Sequence, residues 1–391
     1  MSDTVTQTPV REASRPADDG REAAADPADV ELVSLDDDDG GGRSTSGLIL
    51  RGLVLAALLG AALSAPLLMP DAQVNIVSRV ACFAIVALSL NVLLGYTGQV
   101  SLGHSAFLGV GAFSAGYAIT VLELPWAIAQ LIAIGIGVLA ALILGIVALR
   151  VKGLYLALVT LAYGLFAERV LFGIGPITQG GAGMPAARPE VIGLNDVAYA
   201  YICIGALVLV WVLDWRLTSS KAGRAIQAIR DSEKVAASWG INVTGYKLLA
   251  FVISGALAGL AGGLFASIEQ IVSNLTFTFT LSLTFLLMVV IGGIGSRLGV
   301  VLGAVVLSGM AFFLDTTARL IEQYTPVANW PLNASAEQLV GALLLVVVLL
   351  FFPGGLAQLI APLRRRLSLN PAAVERESAG TAGEGGADVR P

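Results

Sequence analysis

Between Leu90 and Gly116 the sequence LNVLLGYTGQVSLGHSAFLGVGAFSAG carries the densest polar interruption in the apolar part of the chain. Tyr96, Thr97, Gln99, Ser101, His104 and Ser105 offer donors and acceptors, and Gly95, Gly98 and Gly103 loosen the backbone among them. The chemistry open to such a set is hydrogen bonding to a small polar solute. An unwound helix junction lining a pathway needs this mixture of polar groups and glycines. An ordinary polar turn at the membrane surface is built from the same residues, so both readings stand. Tyr96, Gln99, Ser101 and His104 are the candidate pathway residues.

Bond-making chemistry is excluded by what is missing. His104 is the only histidine, so neither a His-based metal cluster nor a Ser-His-Asp triad can form from this chain. No G-x-x-x-x-G-K-[ST] run occurs, so ATP phosphates find no P-loop here. No catalytic, metal or cofactor residue is expected, and any use of ATP must come from a partner. Cys82 and Cys203 both lie in apolar runs and read as inert core thiols.

A second set faces water. Residues 215–247, WRLTSSKAGRAIQAIRDSEKVAASWGINVTGYK, form the longest polar interval between two long apolar runs and hold Arg216, Lys221, Arg224, Arg230, Lys234 and Lys247. On a helical wheel Ala225, Ala228, Ile229, Ser232, Val235, Ala236 and Trp239 share one arc, and Gln227, Arg230, Asp231 and Lys234 the other. That pattern is one amphipathic helix, or two short ones hinged near Asp231 and Ser232, stopped by Gly240. Lying on anionic lipid is one use for it. Its small, Ala-rich apolar face suits a protein groove better, with contacts centred on Ala228, Ile229, Ser232 and Val235.

The elements that position both sets are membrane spans. The 391 residues are 56% hydrophobic and 13% charged, with mean hydropathy +0.82, outside the range of soluble domains. Apolar segments at roughly 47–68, 74–94, 103–122, 126–149, 153–172, 197–213, 247–267, 280–295, 298–314 and 336–352 predict an all-α polytopic membrane protein of about ten helices. Segments 280–295 and 298–314 are short for a span, which suits tilted, broken or re-entrant helices.

Charge fixes the orientation. With 215–247 in the cytoplasm, 14 cations fall inside and only Arg79, Arg169, Arg188 and Arg319 outside, as the positive-inside rule requires. Both termini are then cytoplasmic. The net charge of −5 hides acidic ends: residues 1–45 sum to −8 and 367–391 to −2, leaving +5 on the membrane body. This basic excess reads as topology, not nucleic-acid binding. Residues 1–45 and 367–391 are expected to be disordered tails, flanking a transmembrane domain over 46–366. No cleavable signal peptide is visible in the polar start of the chain. Gly255, Gly259 and Gly263, and Gly299 and Gly303, stand four apart, spacing that lets helix backbones approach closely. Glu168, Arg169 and Glu269 sit at outer span ends and read as interfacial anchors.

The runs LGYTGQVSLGHSAFLGVGA, LRVKGLYLALVTLAYG (Leu149 to Gly164), GRAIQAIRDSEKVAASWGINVTGYKLLAFVISGALAGLAGGLFA (Gly223 to Ala266) and TLSLTFLLMVVIGGIGSRLGVVLGA (Thr280 to Ala304) resemble LivM-type permeases. These are transmembrane subunits of bacterial ABC importers for branched-chain amino acids, and the resemblance covers roughly Leu90 to Gly354. It implies an alternating-access import permease in the bacterial inner membrane, with two cytoplasmic ABC ATPases, a homologous second permease and an extracytoplasmic solute-binding protein. Its coupling helix would occupy Gly223 to Gly240, with Arg224, Ala228, Ile229, Arg230, Asp231, Glu233, Ala236 and Gly240 at the ATPase. The cargo implied is leucine, isoleucine or valine; family members resembling those for urea, short amides or aromatic acids are the alternative. A stand-alone secondary transporter would need coupling-ion carboxylates near the bilayer midplane, whereas the acids here fall mostly at span ends. Thr178 to Met184 resembles the family's T-G-G-x-x-G element, interrupted by Gln179.

Overall fold

A computed structural model describes residues 60, 63–69, 71–151, 153–175, 183–189 and 195–309. The chain divides into two units, Met1–Ser44 and Thr45–Pro391, and the described residues belong to the second. Both expected tails, most of the segment 47–68 and all of 336–352 lie outside the described residues.

Unbroken runs of Leu, Val, Ala and Ile fold as helices, because lipid leaves the backbone no partner but itself. They are α1 (Asp71–Asn91), continued by a π turn (Val92–Tyr96), α2 (His104–Thr120), α3 (Trp126–Ala148), α4 (Leu154–Arg169) and α5 (Asp196–Ser219). The polar interval gives α6 (Lys221–Asp231) and α7 (Glu233–Ser238), followed by α8 (Val243–Glu269), α9 (Phe279–Gly292) and α10 (Arg297–Gly309). Among the described residues, five helical stretches are long and apolar enough to cross a membrane: Gln73–Tyr96, Trp126–Ala148, Leu154–Gly173, Asp196–Ser219 and Val243–Glu269. The 17 residues of α2 and 14 of α9 rise about 25 and 21 Å at 1.5 Å per residue, short of a ~30 Å hydrocarbon core. The short segment expected at 280–295 is thus found. The span expected over 103–122 is shorter than its apolar run suggested.

Helices α1 and α8 form the centre, with 72% and 67% of their apolar windows buried. Helix α3 packs on α8 and α5 on α1, and α4 lies against α2, α3 and α9. Their apolar windows are 33%, 28% and 28% buried for α3, α4 and α5, with Leu139, Ile143 and Val147 of α3 and Leu209 and Leu213 of α5 turned outward. Outward Leu and Ile on a span suit acyl chains. Glycine makes the centre tight. A Cβ on Gly255 would stand 2.5 Å from the Gly137 carbonyl oxygen of α3, and one on Gly262 2.1 Å from that of Leu108 in α2, so α8 meets both neighbours backbone to backbone. Gly303 packs likewise on the Met288 carbonyl. The free thiols Cys82 and Cys203 are buried in α1 and α5. At one end of the bundle β1 (Met184–Pro185) pairs antiparallel with β2 (Ile271–Val272).

Candidate functional site

The polar stretch after α1 folds into the bundle instead of lying on its surface. The π turn widens the end of α1, Gly98 takes φ +69°, and residues 98–103 run without helix until His104 opens α2. Thr97, Gln99, Ser101 and His104 are each at most 5% exposed. Local bonds hold the break: Thr97 Oγ1 and the Gln99 amide both donate to the Leu93 carbonyl, at 2.5 and 3.0 Å. Long-range ones seat it: the Leu102 amide donates to Thr160 Oγ1 of α4 (3.0 Å) and the Ser105 amide to Ser282 Oγ of α9 (2.9 Å). A Cβ on Gly103 would fall 2.1 Å from the Thr160 carbonyl oxygen, so only glycine lets this turn reach α4.

His104 is fully buried. Ser89 Oγ donates its single proton to the Ser254 carbonyl of α8 at 2.7 Å. The 2.8 Å contact between Ser89 Oγ and His104 Nε2 then has the imidazole N–H as donor. Nδ1 is left without a partner, as is Ser101 Oγ. The junction therefore joins α1, α4, α8 and α9 and keeps unsatisfied polar atoms in its interior.

Beside it, Asp214 of α5 has a fully buried side chain. Its Oδ2 accepts from Tyr96 Oη at 2.8 Å and from Arg297 Nε at 2.6 Å. Arg297 also donates to Thr218 Oγ1, and the Gly295 amide donates to Asn91 Oδ1 at 2.9 Å. This network ties together the ends of α1 and α5 and the turn between α9 and α10.

The basic interval folds as the two-helix version of the expected motif. Ser220 Oγ caps α6 at the Gly223 amide and Ser232 Oγ caps α7 at the Val235 amide, with Ser232 as the hinge. Gly240 follows the last turn at φ +78°. Arg230 Nη1 donates to the Gly95 carbonyl at 2.5 Å, which brings the two sets of candidate residues together at the end of α1. Glu233 pairs with Lys247, and Arg224 Nη1 bonds the Ser219 carbonyl at 3.2 Å. The expected contact face is corrected in one respect. Ile226, Ile229 and Ala236 are at most 2% exposed, facing the chain's own helices, whereas Val235 and Trp239 are 56% and 82% exposed. Ala228 is half-buried and Asp231 exposed. An isolated wheel cannot tell which apolar residues the bundle will claim.

The opposite end is held by its own contacts. Arg188, its side chain 4% exposed, pairs with Asp196, donates to Asn75 Oδ1 (3.0 Å) and the Ser267 carbonyl (3.2 Å), and stacks over the Tyr199 ring. Arg79 meets Glu269 at 2.5 Å. Glu168 Oε2 accepts the Phe279 amide at 2.8 Å, capping α9 from a neighbouring helix. Of the Gly-rich run 178–184, Thr178 to Ala182 lie outside the described residues; Met184 is buried in β1.

Among the described residues no three His, Cys, Asp or Glu side chains gather as a metal site. Sequence reasoning missed Asp214, whose partners Tyr96 and Arg297 lie far along the chain on either side. The signal that could have found it is a single acid set within the apolar run AYAYICIGALVLVWVLDW.

A family profile described as branched-chain amino acid transport system, permease component, matches residues 72–350. The chain is 32% identical over 287 residues to the high-affinity branched-chain amino acid transport system permease protein LivM of Salmonella typhimurium, covering 66% of this chain and 67% of that protein. The figures for LivM of Escherichia coli are the same. The galactofuranose transporter permease protein YtfT of Escherichia coli is 26% identical over 273 residues, covering 67% and 76%. No solved structure matches.

Proposed function

Because the chain belongs to the branched-chain amino acid transport permease family, we propose that it is the membrane subunit of an ATP-driven importer of branched-chain amino acids. It takes cargo from an extracytoplasmic solute-binding protein and carries it inward by alternating access, beside a second, homologous permease and two cytoplasmic ATPases. It has about ten spans with both termini in the cytoplasm of a bacterial inner membrane, and acidic tails over 1–45 and 367–391 flank the transmembrane domain 46–366. Tyr96, Gln99, Ser101 and His104 belong to the pathway, at the break between α1 and α2. Arg224, Ala228, Ile229, Arg230, Asp231, Glu233, Ala236 and Gly240 form the coupling segment, in which Ile229 and Ala236 seat the helices, Arg230 reaches back to the end of α1, and the others serve the ATPase side.

The observation that carries this reading is the pair α6–α7. A basic, twice-capped unit sits on the same end of the bundle as Arg297, with Val235 and Trp239 turned to water. Large apolar side chains on a mainly polar unit are candidate anchors for a groove on a partner. The test is co-purification of the ATPase with Val235→Asp and Trp239→Asp chains, alongside leucine uptake in cells. Both variants are expected to insert at normal yield and to lose the ATPase and at least about ten-fold of uptake, the loss of one anchor. Undiminished ATPase recovery and uptake would remove the docking assignment.

A second reading of the cargo is favoured by the similarity to a galactofuranose permease and to autoinducer 2 permeases such as LsrC of Enterobacter. In this reading the architecture is kept and the solute is another small polar molecule. Competition of leucine uptake by isoleucine, valine and sugars separates the two.

A further inference from the structure

We infer that Arg230 is the strut through which the α6–α7 unit acts on the broken helix, so that movement of the unit reaches the α1–α2 junction before any other part of the bundle. The inference rests on the coupling role proposed above and adds the residue that transmits it.

Five observations meet at this point. Ile226 and Ile229, one turn apart on α6, are buried at 1% and 2%, so the helix is seated against the spans and does not hang free. Whereas Arg224 bonds only the adjoining end of α5, the bond from Arg230 Nη1 to the Gly95 carbonyl carries α6 across to the end of α1. Its acceptor lies in the final π turn of α1, where carbonyls lose their intrahelical donors and a cation is favoured by the helix dipole. Three residues on, the chain unwinds at Gly98, where an added Cβ would stand 3.7 Å from Arg230 Cγ. A Cβ on Gly295 would stand 3.3 Å from Arg230 Nη1, and Gly295 is itself bonded to Asn91. One arginine side chain therefore touches both irregular turns at this end, the α1–α2 break and the α9–α10 turn.

The geometry gives direction to the coupling. Gly98, Gly103 and the π turn are where the backbone can yield, while α8 and α3 are locked backbone to backbone. A displacement of α6 meets least resistance at the junction, and it moves Thr97 to Ser101 relative to Thr160 and Ser282. Interhelical coupling of this kind is worth about five- to 150-fold in an equilibrium.

The experiment uses the whole complex, purified in lipid nanodiscs with its ATPases, and hydrogen exchange of the peptide covering 97–103. Nucleotide-free and vanadate-trapped states are compared, a readout that does not depend on the cargo. The natural complex is expected to show a change of about five-fold or more in exchange between the states. Arg230→Met, which keeps the stem beside Gly98 and loses the donors, is expected to abolish that change while still holding the ATPase and hydrolysing ATP. Arg230→Lys, which restores one donor, is expected to recover part of it. An equal response in Arg230→Met and the natural complex would overturn the strut, as would an absence of response in the natural complex. Loss of the ATPase from Arg230→Met would also overturn it, by making Arg230 a docking residue. Failure of the natural chain to hold the ATPase would instead fall on the coupling role itself.

Discussion

The two ends of the bundle are built from the same residue types, and one arginine, Arg230, is used in a way that the others are not. At the end carrying Arg188, arginines join helix ends to one another through carboxylates and an aromatic ring, beside a two-residue strand pair. At the other end Arg297 likewise meets a carboxylate, that of Asp214, but Arg230 holds irregular backbone: it bonds the π turn at Gly95 and lies beside the unwound junction at Gly98 and the glycine turn at Gly295. Cations that bridge regular elements fix a shape. Cations that satisfy open carbonyls beside glycines hold a shape that has somewhere else to go. The difference teaches that charge at a helix end is not one device, and that its partner decides whether it clamps or transmits.

The comparison can be broken at several strengths. Asp214→Ala is the harshest change, because it leaves Arg297, 26% exposed, facing an empty buried site. Removing one member of such a pair costs about 3–5 kcal/mol, so a sharp fall in monodisperse yield and in the apparent Tm is expected. Arg188→Ala removes a buried cation from Asp196, Asn75 and Ser267. A loss of about 2–3 kcal/mol is expected from charge-assisted bonds of this kind, read as a lower Tm in detergent. The strut variant Arg230→Met should leave Tm nearly intact and alter only the coupled readouts. Mildest is Arg79→Ala: its pair with Glu269 is half-exposed on the arginine side, worth under about 1 kcal/mol, and Tm should barely move. A Tm loss from Arg79→Ala equal to that from Arg188→Ala would erase the distinction between clamp and rim.

Much of this architecture is legible in the sequence, and the failures have physical causes. The break after Tyr96 is announced by glycines and polar residues crowded into one short stretch, whereas the glycines of an uninterrupted span such as α8 stand among small and apolar residues. The hinge at Ser232 is legible for a similar reason, since serine competes for backbone amides and caps the helix that follows it. What stays hidden depends on long-range packing. The wheel puts Ile229 and Val235 on one face, yet the bundle takes Ile229 and leaves Val235 to water. Asp214 looks like one more residue near a span end, and nothing local reveals Tyr96 and Arg297 as its partners. The depth of the 97–103 stretch is likewise set by Thr160 and Ser282, far along the chain.

The burial of Cys82 and Cys203 decides how the chain meets oxidants and thiol reagents. These are its only two cysteines, and neither presents sulfur to water. An aqueous maleimide therefore finds no native target, and the natural chain can serve as its own blank for site-directed labelling.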